Sequence, residues 1–333
     1  MGTERQGGAD DRGREDIIRS SEFIVQSKDG VQGTDYSKNN NGLELDVRKY
    51  TIISLLFTFA MLVSTAFAAQ DQQIQQKVAA LEKLTGKFTF VVFGDNRSGD
   101  DTYRKLVSMI VARKPAFVVN VGDMIVTPGD VKQWANFWQM SKPITMPYFL
   151  TVGNHDVHTK LPLSEKIYKE QVDLPGNKMY YSFRAGNSLF IVLDSCLVGE
   201  DRKVSGEQYT WLEGVLDRSS EEHKFLFIHH PMYPENFPGT HHGNDLDRYP
   251  SERDRFENLM IRSKVDAFFA GHEHYYSRKT VKGIMHIISG GGGAPLYGIE
   301  GSGGFYHFIV VTVDGNKVSG EVVDVNGNVR DRF

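Results

Sequence analysis

Five short apolar runs, each followed directly by glycine or histidine, constrain what this chain can fold into more than any other feature. Phe88–Phe93, Ala116–Val121, Tyr148–Val152, Phe225–Ile228 and Ala267–Ala270 are four to six residues long. Apolar runs of that length, rich in β-branched and aromatic side chains, read as strands. Helical spacing appears between them. In Asp101–Arg113, Tyr103, Leu106, Val107 and Ile110 share one helical face, and Val131–Met140 predicts a second helix. Ser205 with Gln208 three residues on reads as a capping signal that opens a third. Two hairpins are expected, "YYSFRAGNSLFIVLD" turning at Gly186-Asn187 and "FYHFIVVTVDGNKVSGEVVDV" turning at Asp314-Gly315. This order predicts an α/β chain of two packed mixed β-sheets, a β-sandwich flanked by helices. No internal repeat or break divides residues 88–333, which read as one domain.

Upstream the character changes. Residues 1–47 are polar, rich in Gly, Asp, Asn and Ser, and read as a disordered leader. Arg48-Lys49 then precede "YTIISLLFTFAMLVSTAFAAQ", an apolar stretch with a small-x-small end at Ala66-Phe67-Ala68, so 48–69 is expected to be a signal peptide. The uncharged stretch 50–70 is also near the roughly 20 residues that span a bilayer. An uncleaved membrane anchor or tether is therefore the alternative. Both arrangements place the remainder outside the cytoplasm, periplasmic or secreted. A polar leader ahead of a signal is unusual, and initiation near Val47 would leave the short start "VRKYTIISLL". Residues 70–87 are expected to form an amphipathic helical linker.

The formal net charge is −4 and no Lys/Arg run exceeds two residues, which offers nucleic acid no footprint. One cysteine, Cys196, excludes an intramolecular disulfide and, ending the apolar "FIVLDSC", reads as a buried thiol. All eleven histidines lie between His155 and His307. Five polar segments fall at the ends of the expected strands: "GDNR" (94–97), "GDMI" (122–125), "GNHD" (153–156), "IHHP" (228–231) and "GHEH" (271–274). Ligands of α/β sheets bind beyond the strands' carboxyl ends, so side chains from separate strands can converge there. Asp95 and Asp123 offer hard anionic oxygens, Asn154 a carbonyl oxygen, and His229, His272 and His274 imidazole nitrogens. Mixed oxygen and imidazole ligation suits Mn, Fe, Zn, Co or Ni better than Ca or Mg. His272 and His274 would point to opposite faces of a regular strand, so both serve as ligands only on a turn or toward different ions. Gly94, Gly122, Gly153 and Gly271 permit sharp turns and close backbone approach. His241-His242, in the loop "PENFPGTHHGND", are expected to be solvated, with approach to the substrate as the alternative, and His223, His286 and His307 read as structural.

The ordered set Gly-Asp, Gly-Asp, Gly-Asn-His-Asp, His-x-Pro and Gly-His-x-His resembles the calcineurin-like metallophosphoesterase superfamily, as do "LDS" (193–195), "GEQYTWL" (206–212) and "SGGGGAP" (289–295). The resemblance implies a β-sandwich flanked by helices and a dinuclear centre of two transition-metal ions, divalent or trivalent (Mn, Fe or Zn). It implies that Asp95 and His274 bind the first ion, that Asp123 bridges both, and that Asn154, His229 and His272 bind the second. His155, oriented by Asp156, would act on the leaving oxygen of a small phosphorylated substrate, as acid or as electrostatic stabiliser. The implied reaction is attack of a metal-bound hydroxide on a phosphate ester, monoesters favoured over diesters.

Arg97 departs from that pattern. Many members of the superfamily place a first-metal histidine there, and purple acid phosphatases use a tyrosine three residues after the second Asp, where this chain has Val126. A guanidinium cannot ligate a cation, so Arg97 is expected to turn away, toward bound phosphate as a clamp or toward Asp100. The alternative to a hydrolase is a non-catalytic or single-metal phosphate-binding module of the same fold.

Overall fold

The structure is a computed structural model that describes residues 73–333. The expected leader and the signal or anchor segment lie outside the described residues. Among the described residues no helix is long and apolar enough to cross a membrane.

The elements follow in chain order. A first helix, α1 (73–82), leads into β1 (Phe88–Phe93), α2 (Asp100–Ala112), β2 (Phe117–Asn120), α3 (Val131–Ser141) and β3 (Tyr148–Leu150). Then come α4 (Pro162–Gln171), the hairpin β4 (Tyr181–Ala185) and β5 (Ser188–Val192), α5 (Gly206–Asp217), β6 (His223–Ile228) and α6 (Pro250–Arg262). The chain closes with β7 (Ala267–Ala270), β8 (Tyr276–Val281), β9 (Ile284–Ser289), β10 (His307–Asp314), β11 (Lys317–Asp324) and β12 (Val329–Arg332). They build two six-stranded sheets, ordered β12-β11-β10-β1-β2-β3 and β4-β5-β6-β7-β9-β8. Strands β1-β2-β3 and β5-β6-β7-β9 are parallel, with antiparallel strands at the flanks, so both sheets are mixed as expected.

Aromatic side chains lock the sheets together. Phe90 of β1 stacks on Phe117 of β2 at 5.2 Å and meets Phe190 of β5 and Phe225 of β6 edge-on, each also at 5.2 Å. Each such ring is fully buried, worth on the order of 2–3 kcal/mol before any gain from ring geometry. A second apolar layer, including Leu226, Phe268, Leu212 and Met260, joins β6 and β7 to α5 and α6.

The expected amphipathic helix forms at 73–82 as α1, and it docks, burying Ile74 and Leu81 in the core. Three details differ from the sequence reading. Ser205 precedes α5 but makes no capping bond; its hydroxyl donates to Glu200, and Gln208 is drawn inward to bond both Asp194 N and Asp194 O. The tail hairpin turns one residue later than read, since Asp314 pairs with Lys317. Helices α4 and α6, the β8–β9 hairpin and β12 were not anticipated; both helices open with proline in the first turn, where its missing N–H costs nothing.

Register places the site. Phe93 pairs with Asn120, Asn120 with Leu150, and Ile228 with Ala270, so the parallel strands of each sheet end level. The loops beyond them share one edge of the sandwich.

Candidate metal centre

The five segments meet at that edge, in two overlapping groups. In the first, Asp95, Asp123 and His274 bring ligand atoms within 4.8 Å of one another, with His274 Nε2 3.6 Å from Asp95 Oδ1. The second gathers around His229 Nε2, which lies 3.0 Å from Asn154 Oδ1, 3.2 Å from His272 Nδ1 and 3.3 Å from Asp123 Oδ1. Asp123 belongs to both. His272 and His274 reach different groups because Gly271–Tyr275 is a tight turn, with Glu273 N donating to Gly271 O.

The backbone is strained at the residues that face the centre. Asp95, Asp123 and His272 have φ of 60°, 61° and 67°, the left-handed region that non-glycine residues avoid. Such conformations cost roughly 1–3 kcal/mol each. The polar residues thus make the sharp turns themselves, and the neighbouring glycines provide room. A Cβ on Gly122 would collide with the His229 ring, and one on Gly271 with the Asp95 carboxylate.

Hydrogen bonds fix which ring nitrogens face inward. His229 Nδ1 donates to Val121 O at 2.8 Å and His274 Nδ1 to Pro295 O at 2.7 Å, leaving Nε2 of each with its lone pair toward the carboxylates. Tyr297 stacks on the His274 ring at 4.3 Å. Burial holds all three site imidazoles neutral, His229 and His272 below the ordinary histidine range and His274 down to about 4. Burial, and then the Asp123 carboxylate, raises Asp95 well above the usual carboxylate range. Burial opposes ionisation of Asp123 as well, but the Arg97 guanidinium and the backbone N–H of His155 hold its carboxyl below the usual carboxylate range.

Two expectations need correction. Arg97 does not turn toward Asp100; its Nε donates to Asp123 Oδ2 at 3.0 Å, because that nearly buried carboxylate is the strongest acceptor in reach. Asp156 does not orient His155. Its carboxylate accepts the backbone N–H groups of Gly153, Asp123, Met124 and Ile125 and so shapes the loop that presents Asp123. His155 is held instead through Nδ1, 2.7 Å from Val126 O, while its N–H donates to Asp123 Oδ1. Val126 therefore contributes a carbonyl where purple acid phosphatases were expected to place a phenol.

Other residues near the site gave little warning in the sequence. Asn96 and Asn120 hydrogen-bond beneath the first loop, with Asn96 reaching Met124 O. Of the pair in the long loop, His241 approaches, its ring 4.5 Å from that of His272 and its N–H on Glu273, while His242 stays exposed. Asp245, fully buried, lies 3.4 Å from His272 Nε2. Burial beside Glu273 and Asp247 pushes its carboxyl up to about 10, a cost that a cation on His272 would relieve. His223, His286 and His307 lie on β6, β9 and β10, outside both groups.

The donor set fits transition-metal cations. It mixes carboxylate, amide and imidazole, and the inward-facing His274 Nε2 is buried without a hydrogen-bond partner. The chain belongs to the calcineurin-like phosphoesterase family, whose model matches residues 88–276. It is similar to purple acid phosphatase 21 of Arabidopsis thaliana, 29% identical over 233 residues that cover 61% of this chain and 49% of that one. It is also similar to a probable inactive purple acid phosphatase of the same plant, 26% identical over 60% of this chain and 38% of that one. The fold resembles a purple acid phosphatase from yellow lupin seeds, with TM-score 0.64, 19% identity and coverage of 75% and 54%. The chain thus spans about half or less of the length of these curated relatives.

Proposed function

We propose that this chain is a metal-dependent phosphoester hydrolase that acts outside the cytoplasm on a small phosphorylated substrate. The observation that carries the reading is Asp123, whose carboxylate belongs to both ligand groups. Asp95, Asp123 and His274 would hold one cation, and Asp123, Asn154, His229 and His272 a second. Such ions supply Lewis acidity toward a phosphoryl oxygen and a nucleophile at neutral pH.

The chain's own residues do the rest. With Nδ1–H on Val126 O, His155 presents Nε2 to the substrate, and as the imidazolium it can give the Nε2 proton to, or hydrogen-bond, the departing oxygen. Asp156 keeps the Asp123–Ile125 backbone in place, so its part is positional. Among the described residues only Nε of Arg97 is engaged, which leaves its two terminal nitrogens to take phosphate oxygens as a planar fork. Monoesters are proposed ahead of diesters, in keeping with the phosphatase names of the relatives. Export rests on the signal-like text at 48–69, with a tether through 50–70 as the other version.

A panel of phosphomonoesters and phosphodiesters, with Mn, Zn or Fe added, tests the activity. Turnover that chelator removes and metal restores is expected; no metal-dependent turnover on any ester would sink it. N-terminal sequencing of the exported protein tests location, with a mature start near Ala69 expected and a wholly cytoplasmic pool refuting it. The second reading, a single-metal phosphate-binding module, is favoured by Arg97 on Asp123 and by the inactive relative. Metal analysis near one equivalent with no turnover would select it.

A further inference from the structure

His272 differs from the other two site histidines. His229 and His274 are each held at Nδ1 by a backbone carbonyl and point Nε2 inward. His272 is turned over: Nδ1 points inward, 3.2 Å from His229 Nε2, and Nε2 points away from the centre. No hydrogen-bond partner satisfies that outer nitrogen, and Asp245 Oδ1 lies 3.4 Å from it. Both oxygens of Asp245 are likewise buried with no donor in place, and the Glu273 carboxyl beside them could share a proton. An imidazole that ligates through one nitrogen carries its proton on the other, and a metal-ligating histidine almost always gives that proton to a carboxylate or carbonyl.

We propose that Asp245 is the positioning residue of the centre. Its carboxylate takes the Nε2–H of His272 and so fixes the tautomer in which the Nδ1 lone pair faces His229 and Asp123. This rests on the reading of His272 as a metal ligand. The loop is built to deliver the carboxylate. After Pro231 the chain runs outward and returns, and Leu246 N donates to Pro231 O at 3.1 Å, pinning Asp245 behind the His229-His230 pair. Asp247 accepts from Asp245 N, and Arg248 N donates to Asp245 O, closing a short 3-10 turn at Leu246–Arg248. His230, Asp245 and His272 also bring three ligand atoms within 4.8 Å. A separate cation there would need the Nε2 lone pair of His272, which ligation through Nδ1 leaves protonated.

The test uses the full chain, metal-stripped and then loaded with Co²⁺, comparing wild type with Asp245→Asn and Asp245→Ala. Chelator competition should show Co²⁺ affinity lower by about 10- to 100-fold in the alanine variant, the range for lost outer partners of metal ligands. The asparagine variant, which keeps an acceptor of the same shape without the charge, should fall between. The visible ligand-field spectrum of the cobalt form should shift in both, while the melting temperature of the metal-free chains stays the same. Unchanged affinity and spectrum in Asp245→Asn and Asp245→Ala would overturn the proposal. So would the loss of one whole metal equivalent in Asp245→Asn with the remaining sites unaltered, because Asp245 would then be a ligand. If wild type itself binds no Co²⁺, the reading of the centre fails and not the role of Asp245.

Discussion

Removing Arg97 should tighten metal binding. Its Nε lies 3.0 Å from Asp123 Oδ2, the carboxylate that both ligand groups share. At an effective dielectric of about 20, unit charges at that separation attract by roughly 5.5 kcal/mol. A cation that takes up Asp123 must displace or outcompete that attraction. The Arg97 side chain is 16% exposed, so water screens the pair and the guanidinium has room to swing outward. Discounted for both, a net handicap of roughly 2 kcal/mol remains, about 30-fold in affinity. Arg97→Ala should therefore bind Zn²⁺ or Mn²⁺ about 30-fold more tightly in chelator competition. Arg97→His should gain more, since it adds an imidazole where the guanidinium stood, and Arg97→Lys should stay near wild type. In the alanine variant, inhibition by inorganic phosphate should weaken as the fork is lost. If metal affinity is the same in wild type, Arg97→Ala and Arg97→His, the pair with Asp123 does not gate the cation and the electrostatic argument is wrong.

Three other outcomes are expected. Asp123→Asn should lower metal content to near zero and abolish turnover; retention of one ion with activity would show that the carboxylate is not shared. His155→Ala should reduce kcat on the order of 100-fold with metal content intact, and loss of metal would make His155 a ligand instead. Stability should decline in acid through His286 and His307, whose burial lowers their pKa to about 4 from an ordinary 6.5. Between those values the unfolded chain binds protons that the folded chain refuses, so stability is full above about pH 6.5 and falls as pH drops toward 4. Each contributes up to roughly 3 kcal/mol, read as the part of the pH 7 to pH 5 difference in urea melts that His286→Gln and His307→Gln remove, since buried carboxyls such as Asp95 and Asp245 act with the opposite sign. An unchanged pH 7 to pH 5 difference in both variants would refute the assignment.

The strands were readable because a run such as "FTFVVF" leaves few alternatives once both sheet faces are to be buried. Five loops ending those strands were readable for the same reason, since strand ends decide where loops converge. What stayed hidden depended on distance along the chain. Asp245 sits in "GND", which reads as a turn, and only the return of the loop onto Pro231 brings it to His272. Gln208 fits a capping pattern, yet the buried backbone N–H and C=O of Asp194, 14 residues upstream, claim its amide. Arg97 was read by what a guanidinium cannot do, ligate a cation. The structure shows what it does in that position, pair with the nearest buried anion.

The left-handed turns at Asp95, Asp123 and His272 bear on how such a centre would decay over evolutionary time. Each of these residues sits in a conformation that glycine or asparagine adopts with less strain. While cations are used, selection holds the donors there against that local cost. Once cations are no longer used, exchange for a more permissive residue would relax the backbone and stabilise the fold, so drift and stability would push the same way. A descendant that had abandoned catalysis should therefore be recognisable at these three positions before any change in its strands, and it should melt at a higher temperature than its active ancestor.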